Sequence, residues 1–288
     1  MRYGYSRPTC TFSLDGSSSP GPDFETDVRL ANSQPSEQTI ISGIATSTPT
    51  VGEYVDIFVD WNTPMPIGIV AILNMSCPEG VAIEVAGRRL GSGSYNTDLL
   101  GNSMTQATAE IAGGRVQAVI LPESEHEDFI GVQVRIYNDQ DGITWADDTT
   151  ELSIGEIVVM QSVSLCATPA RTRGRSNRSL RERAFNGAAH FFPRGEYRTA
   201  DFTVRGSIEE SYTGGLAYGM DFAKLQGKQD DGLYRAFVVP RGINDYGTGP
   251  DYDLIQQVAM LCLVSWGNIN EETSRMACTV PLTIEETP

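Results

Sequence analysis

The chain has 288 residues, 40% of them hydrophobic and 20% charged, and carries a net charge of −16. That balance belongs to a folded globular protein, and the length suits one large or two ordinary domains. No apolar run approaches the ~20 residues that span a bilayer, so membrane insertion is not expected.

Residues 1–50 are rich in Ser, Thr, Pro and Gly, and the run from Gly16 to Pro22 suits neither helix nor central strand. They read as an extended N-terminal arm of the kind that orders against a neighbouring subunit. The opening segment, MRYGYSRPTCTFSLDG, lacks the apolar stretch of a signal peptide, so synthesis in the cytoplasm is the expectation.

From Tyr54 the apolar period becomes two. In EYVDIFVDW, Val55, Ile57, Val59 and Trp61 share one face and Asp56 and Asp60 the other. Ile67 to Leu73 is an apolar run of strand length, read as a strand buried on both faces or a short buried turn of helix. Val81, Ile83 and Val85 alternate, Arg88 to Gly101 is a Gly/Ser/Asn loop, and Val116, Ala118 and Ile120 make another strand. Phe129–Tyr137 and Leu152–Met160 read as two linked strands with the turn signal Asp141-Gly142 between them. Short strands at this spacing are the mark of a β-sandwich or jelly roll over residues 51–163.

Residues 164–198 change character. Arg171, Arg173, Arg175, Arg178, Arg181 and Arg183 crowd together in an acidic protein, and the stretch reads as a bridge to a second β-rich domain over 199–288. There Ala200, Phe202 and Val204 alternate. Residues 209–228 form the one helix candidate, with Tyr218, Phe222 and Leu225 at i, i+4 and i+7. Arg235–Pro240 and Ala259–Trp266 follow as strands, separated by a loop over Gly242–Asp253. The final strand sets Met276, Cys278, Val280, Leu282 and Ile284 at strict period two.

Charge divides unevenly. Residues 1–163 hold 22 acidic and 7 basic side chains, and residues 164–288 hold 15 and 14. The first part therefore faces solvent or a basic partner and opposes nucleic acid. The arginine cluster lacks the interleaved aromatics of a nucleic-acid patch and reads better as pairing with acidic surface on this chain or a neighbour.

Chemistry is sparse. Cys10, Cys77, Cys166, Cys262 and Cys278 are odd in number, with no C-x-x-C pair, so neither a disulfide framework nor a zinc site is indicated. His126 and His190 have no metal-binding spacing, and G-x-S-x-G and the phosphate-binding loop are absent. Asp139, Asp141, Asp147 and Asp148 could ring a calcium ion, but they miss the EF-hand spacing and suit a hairpin turn better. No cofactor, metal or catalytic residue is expected.

Three stretches together resemble bacteriophage minor tail proteins. VDIFVDWNTPMPIGIVAILNMSCPEGVAIEVAGRR resembles the opening of tail proteins with a galactose-binding-like (discoidin-like) jelly roll. VQVRIYNDQDG with LSIGEIVVM is similar to their closing hairpin. RSLRERAFNGAAHFFPRGEYRTADF, with the strand, helix and final alternating strand after it, resembles the tube-related β-sandwich of distal tail proteins.

The resemblance implies an all-β chain, a jelly roll followed by a tail-tube-like sandwich with one short helix. It implies a structural virion protein that forms a ring at the distal tail and links tail tube to baseplate or host-recognition proteins. The six arginines are then candidate subunit-interface residues. The alternative is a tail-tip module that contacts host surface glycan through Tyr95, Asn96, Asp139 and Trp145, the polar-plus-aromatic mix that sugars favour.

Overall fold

The computed structural model describes the chain except residues 19–20, 32–34, 49, 97–104, 109, 113–114, 123–126, 141, 169–172, 178–179, 184–188, 193–195, 231–234, 241–251, 273–275 and 288. Within 105–115, 173–197, 212, 228–230 and 252–253 it describes the main chain only. The chain is mostly β, with few helices. It divides into a sandwich unit, residues 2–163 with 239–259, and a second unit, Met1 with 164–238 and 260–288.

The sandwich unit holds β1 (Arg2–Ser6), β2 (Thr11–Gly16), β3 (Asp23–Phe24), β4 (Thr39–Ser42), β5 (Tyr54–Met65), β6 (Ile69–Met75), β7 (Ala82–Arg89), β8 (Thr105–Thr108), β9 (Glu110–Ala112), β10 (Arg115–Ile120), β11 (Phe129–Tyr137), β12 (Asp139–Gln140), β13 (Ile143–Thr144), β14 (Leu152–Ile154) and β15 (Glu156–Ser164). One sheet runs β2-β5-β11-β7-β8, and the facing strands run β1-β15-β6-β10-β9. The chain crosses between the two sheets at β5 to β6, β6 to β7, and β10 to β11, as a jelly roll requires.

The core lies between them. Val55, Ile57, Val59 and Trp61 of β5 and Val132, Val134 and Ile136 of β11 meet Val70, Ile72, Ala118, Ile120, Ile157 and Val159 from the facing sheet. Each fully buried Ile or Val here is worth about 1.5–3 kcal/mol relative to exposure. The Trp61 indole N–H is satisfied inside that core, donating to the Phe129 carbonyl at 2.9 Å. The apolar run from Ile69 is a strand buried on both faces, flanked by β15 and β10.

Two expectations need correction here. Residues 1–50 are not chiefly an arm, because β1 to β4 pair into sheets of the sandwich unit. Buried Glu156 holds this region in place: it pairs with Arg7, whose Nη2 also donates to the carbonyls of Leu30 at 3.1 Å and Ile157 at 2.5 Å.

Leu152–Met160 is not one strand returning on Phe129–Tyr137. β14 pairs with β4 and β15 with β6, whereas β11 lies between β5 and β7. Gly155 makes that break, since a Cβ there would stand 2.0 Å from the Pro35 carbonyl oxygen. Of the Asp141-Gly142 turn signal, Asp141 lies outside the described residues, and the flanking β12 and β13 pair only as a small ladder.

The second unit contains β16 (Cys166–Thr168), β17 (Arg173–Asn177), β18 (Leu180–Arg183), β19 (Ala189–Phe192), β20 (Glu196–Ser207), β21 (Arg235–Val239), β22 (Met260–Trp266), β23 (Asn270–Glu272) and β24 (Ala277–Glu286). β20, β24, β22 and β21 are neighbours in that order. β16 and β17 lie end to end along the outer side of β20. One face buries Phe202, Val204, Val280, Leu282, Ile284, Cys262 and Val264; the other presents Asp201, Thr283 and Ser265 to solvent.

The helix expected over 209–228 is broken. α1 (Ile208–Tyr212) is capped by Ser207 and Glu210, each side chain taking the other's backbone N–H. α2 (Phe222–Asp230) follows after Gly214 and Gly215 and a single 3-10 turn. Tyr218 is therefore exposed at φ 59°, while Phe222 and Leu225 are buried. A third helix, α3 (Tyr252–Val258), belongs to the sandwich unit, although its first two residues were expected in a loop. Met276, expected in the core, is 63% exposed because it turns the chain at φ 49° before β24.

Candidate functional site

Period two in β5, β7 and β11 directs a second set of side chains away from the core, on the outer face of the five-stranded sheet. The register places Asp56 beside Arg135 and Arg135 beside Glu84, and one step along it places Tyr137 beside Tyr54. Arg135 grips Asp56 with two parallel hydrogen bonds, Nε to Oδ1 and Nη2 to Oδ2, both 2.8 Å. Its guanidinium lies 3.6 Å over the Tyr54 ring, in cation–π contact. The Tyr137 hydroxyl donates to Glu84 Oε2 at 2.8 Å, and its ring meets Tyr54 edge-on at 6.2 Å.

Each group shifts its neighbours. The side-chain bond to Asp56 is the main cause that drives the Arg135 guanidinium further towards its charged form. Burial, then the Glu84 carboxylate, pushes the Tyr137 phenol up. The result is a hydrogen-bonded strip with Tyr54, Arg135, Tyr137 and Glu84 all partly open to solvent.

Further along the same face the loop after β7 folds back. Tyr95 packs on Phe58 at 4.9 Å between ring centroids and donates its hydroxyl to Asp60 Oδ1 at 2.5 Å, while Arg88 bonds the same oxygen at 2.6 Å. Gly131 permits this: a Cβ there would stand 2.3 Å from Asp60 Oδ1 and 3.1 Å from the Tyr95 ring. Burial, then the Asp60 hydrogen bond, pushes the Tyr95 phenol well up.

The four residues expected to contact glycan do not form one site. Tyr95 lies at the Gly131 end of β11. Trp145 lies at the Tyr137 end, where its Nε1 donates to the Tyr137 carbonyl at 2.9 Å. Six residues of strand separate those ends, about 20 Å. Both aromatic rings are committed to packing the sandwich, Trp145 against the core and Tyr95 on Phe58. Asn96 is exposed, and Asp139 accepts from the Thr144 hydroxyl at 3.1 Å.

Of the carboxylates considered for calcium, Asp141 lies outside the described residues. Asp147 is occupied by the Thr149 amide and hydroxyl and the Thr150 hydroxyl at 2.7–3.0 Å; the Thr149 hydroxyl leads in holding its carboxyl below the usual range. Sequence reasoning missed Tyr54, Glu84, Arg135 and Tyr137. Their outward period was legible, but their pairing depends on register.

Of the arginines, Arg171 and Arg178 lie outside the described residues. Arg173 and Arg175 are in β17, opposite Ala200 and Arg198 of β20; Arg181 and Arg183 are in β18, opposite Phe191 and Ala189 of β19. The stretch expected as a bridge is thus built as strands within the second unit. His190 falls in β19 and His126 outside the described residues.

No family model matches the chain, and no curated protein matches it either. Among solved structures it is similar to CpGH89CBM32-6 produced by Clostridium perfringens, at 12% identity and a TM-score of 0.26, over 49% of this chain and 91% of that one. It is also similar to the catalytic domain of a GH87 alpha-1,3-glucanase in complex with nigerose, at 11% identity and a TM-score of 0.24. That match covers 59% of this chain and 30% of the glucanase chain.

Proposed function

We propose that the chain is a structural protein of a bacteriophage tail, assembling as a ring at the distal end and joining the tail tube to baseplate or host-recognition proteins. The observation that carries this reading is the placement of the arginine stretch. Among the described residues β17 is a sheet edge, and such an edge offers backbone hydrogen-bonding groups to whatever strand comes beside it.

Residues 171–198 hold eight arginines against Glu182 and Glu196, whereas residues 1–163 have a net charge of −15. A basic edge on one unit and an acidic other unit give head-to-tail complementarity, which closes into a ring when the rotation allows. The tail-protein resemblance, strongest at this same stretch, supplies the setting. A structural role makes no demand for a cofactor or a catalytic group.

Light scattering on the purified chain is the test. The wild type is expected as a discrete oligomer. Arg173→Glu, Arg175→Glu, Arg181→Glu and Arg183→Glu together are expected to reduce it to monomer. A monomeric wild type, or an unaltered oligomer from the variant, refutes the reading.

A second reading, contact with host glycan, is favoured by the partly open strip of Tyr54, Arg135, Tyr137 and Glu84. Binding of the full chain on a glycan array, lost in Tyr54→Ala and Tyr137→Ala, would support it. An array without signal would end it.

A further inference from the structure

At one end of the sandwich unit, two buried polar side chains bond to residues 44–46, one from just before β5 and one from just after β11. Glu53, 6% exposed, sets its carboxylate on Thr46: Oε1 accepts from the Thr46 hydroxyl at 2.8 Å and Oε2 from the Thr46 N–H at 3.4 Å. Asn138, 1% exposed, donates from Nδ2 to the Ile44 carbonyl at 2.7 Å. The two residues also join directly, since the Asn138 N–H donates to the Glu53 carbonyl at 3.0 Å. The Glu53 carboxylate and the Asn138 amide are thus held on the same three-residue segment.

These bonds do not satisfy them. A carboxylate offers about four acceptor sites, and those on Glu53 receive only the two Thr46 donors, one of them long. The Thr46 hydroxyl has a single proton, and the Thr48 carbonyl competes for it at 3.0 Å. Among the described residues, no arginine, lysine or histidine pairs with Glu53. Asn138 Oδ1 is buried and reached by no donor, and the bond from Nδ2 to Ile44 fixes which end of the amide is the oxygen. Gln140 Oε1 is in the same condition, one residue beyond the Asp139 carbonyl that accepts from the Gly52 N–H at 2.7 Å. Buried polar atoms normally find partners, and all three groups here are oxygens that need positive charge or donors.

We propose that these oxygens bind a hard divalent cation of the calcium class, with Glu53 as the charged ligand and Asn138 Oδ1 as the neutral one. Calcium accepts about six to eight oxygens from carboxylates, amides, carbonyls and water in flexible geometry, whereas magnesium demands a near-ideal octahedron. A loop-borne set with one carboxylate suits calcium. The ion fastens residues 44–53 to the end of β11, which carries Tyr137 of the outer strip. With a single carboxylate the affinity is low, with a dissociation constant on the order of 10⁻⁴ M. The site is separate from Asp147, whose carboxylate is taken up by Thr149 and Thr150, and it is independent of both the assembly and the glycan readings.

The test uses the full chain, freed of metal with a chelator and titrated with calcium chloride by calorimetry. One ion per chain is expected, with a melting midpoint that rises at saturation. Terbium, a calcium substitute excited through tryptophan, should luminesce on binding, because the Trp145 N–H donates to the Asn138 carbonyl at 3.2 Å. Glu53→Gln is expected to weaken calcium binding about tenfold or more, yet to leave the calcium-free protein at least as stable as wild type, since a buried charge without a base is removed. Asn138→Ser should weaken binding by a similar factor. Asp147→Asn, outside the site, should bind as wild type does.

No saturable binding below about 10 mM calcium, or equal affinity in wild type and Glu53→Gln, overturns the site. Unaltered affinity in Asn138→Ser overturns Asn138 as a ligand. Binding lost in Asp147→Asn but kept in Glu53→Gln overturns the site in favour of the exposed aspartates. Magnesium bound as tightly as calcium overturns the choice of ion.

Discussion

The side of β10 beyond β9 and the free side of β2 pose the same physical problem, and the sandwich unit answers it in opposite ways. At β10 a glutamine amide supplies one donor and one acceptor to Val119, both in a buried setting where unpaired groups would cost about 1–3 kcal/mol each. At β2 the outward groups of Phe12 open on a groove that water can fill. An edge sealed from within serves folding, whereas an edge left open beside partly apolar surface is available to a partner. Natural sheets manage their edges explicitly, so the unequal treatment is itself informative.

The largest effect is expected from Arg7→Ala. It removes the arginine partner of the buried Glu156 carboxylate and the donor to the Leu30 carbonyl. Urea denaturation should show a loss of about 3–5 kcal/mol. Stability within about 1 kcal/mol of wild type would mean that other contacts hold this region.

Next comes Gln256→Leu, which reopens the β10 edge. Unfolding should be easier by about 2–4 kcal/mol, and light scattering should reveal non-specific aggregation absent from the wild type. If the variant stays as stable and as soluble as the wild type, the glutamine is not what closes that edge.

A smaller effect separates the thiols. Exposed Cys166 should alkylate first, and buried Cys77 and Cys262, whose thiols burial pushes up, should alkylate last. Cys10 lies in the groove with its thiol pushed up to about 11, mainly by burial. Its alkylation should therefore quicken about tenfold per pH unit between pH 8 and 10. A Cys10 rate that levels off below pH 10 would show that burial does not hold the thiol up.

The smallest effect concerns Tyr95. Burial and Asp60 raise its folded-state value above the unfolded one, so its contribution to stability is complete below about pH 10 and is lost as pH rises past that point. Tyr95→Phe should flatten this alkaline decline in a pH series of denaturation curves. An unchanged slope would remove Tyr95 as its source.

Much of the fold could be read from the sequence because the β period is local. Val55, Ile57, Val59 and Trp61 declare a half-buried strand without reference to any partner, and Cys278, Val280, Leu282 and Ile284 do the same. The continuous run in β6 announced burial but left strand and helical turn open, and its two flanking strands decide for the strand. Local signals failed where two conformations share a pattern: Tyr218, Phe222 and Leu225 have helical spacing, but Gly214 and Gly215 precede a left-handed Tyr218 instead. Similarly, Leu152–Met160 looks like one strand, and only the approach of Pro35 to Gly155 shows why it divides.

By itself, then, the sequence determined the β class, the boundary of character near residue 164, the acidic first part against a near-neutral remainder, and the lack of a known catalytic motif. Tertiary structure decided everything that depends on which strand lies beside which. It joined Arg135 to Asp56 and Tyr54, committed Tyr95 and Trp145 to opposite ends of a sheet, and turned the arginine stretch into an edge strand. It also set Gln256 on β10 while leaving β2 open, a pairing across 137 residues of chain that no local period encodes. Side-chain alternation is a property of one strand, but register and edges are properties of two.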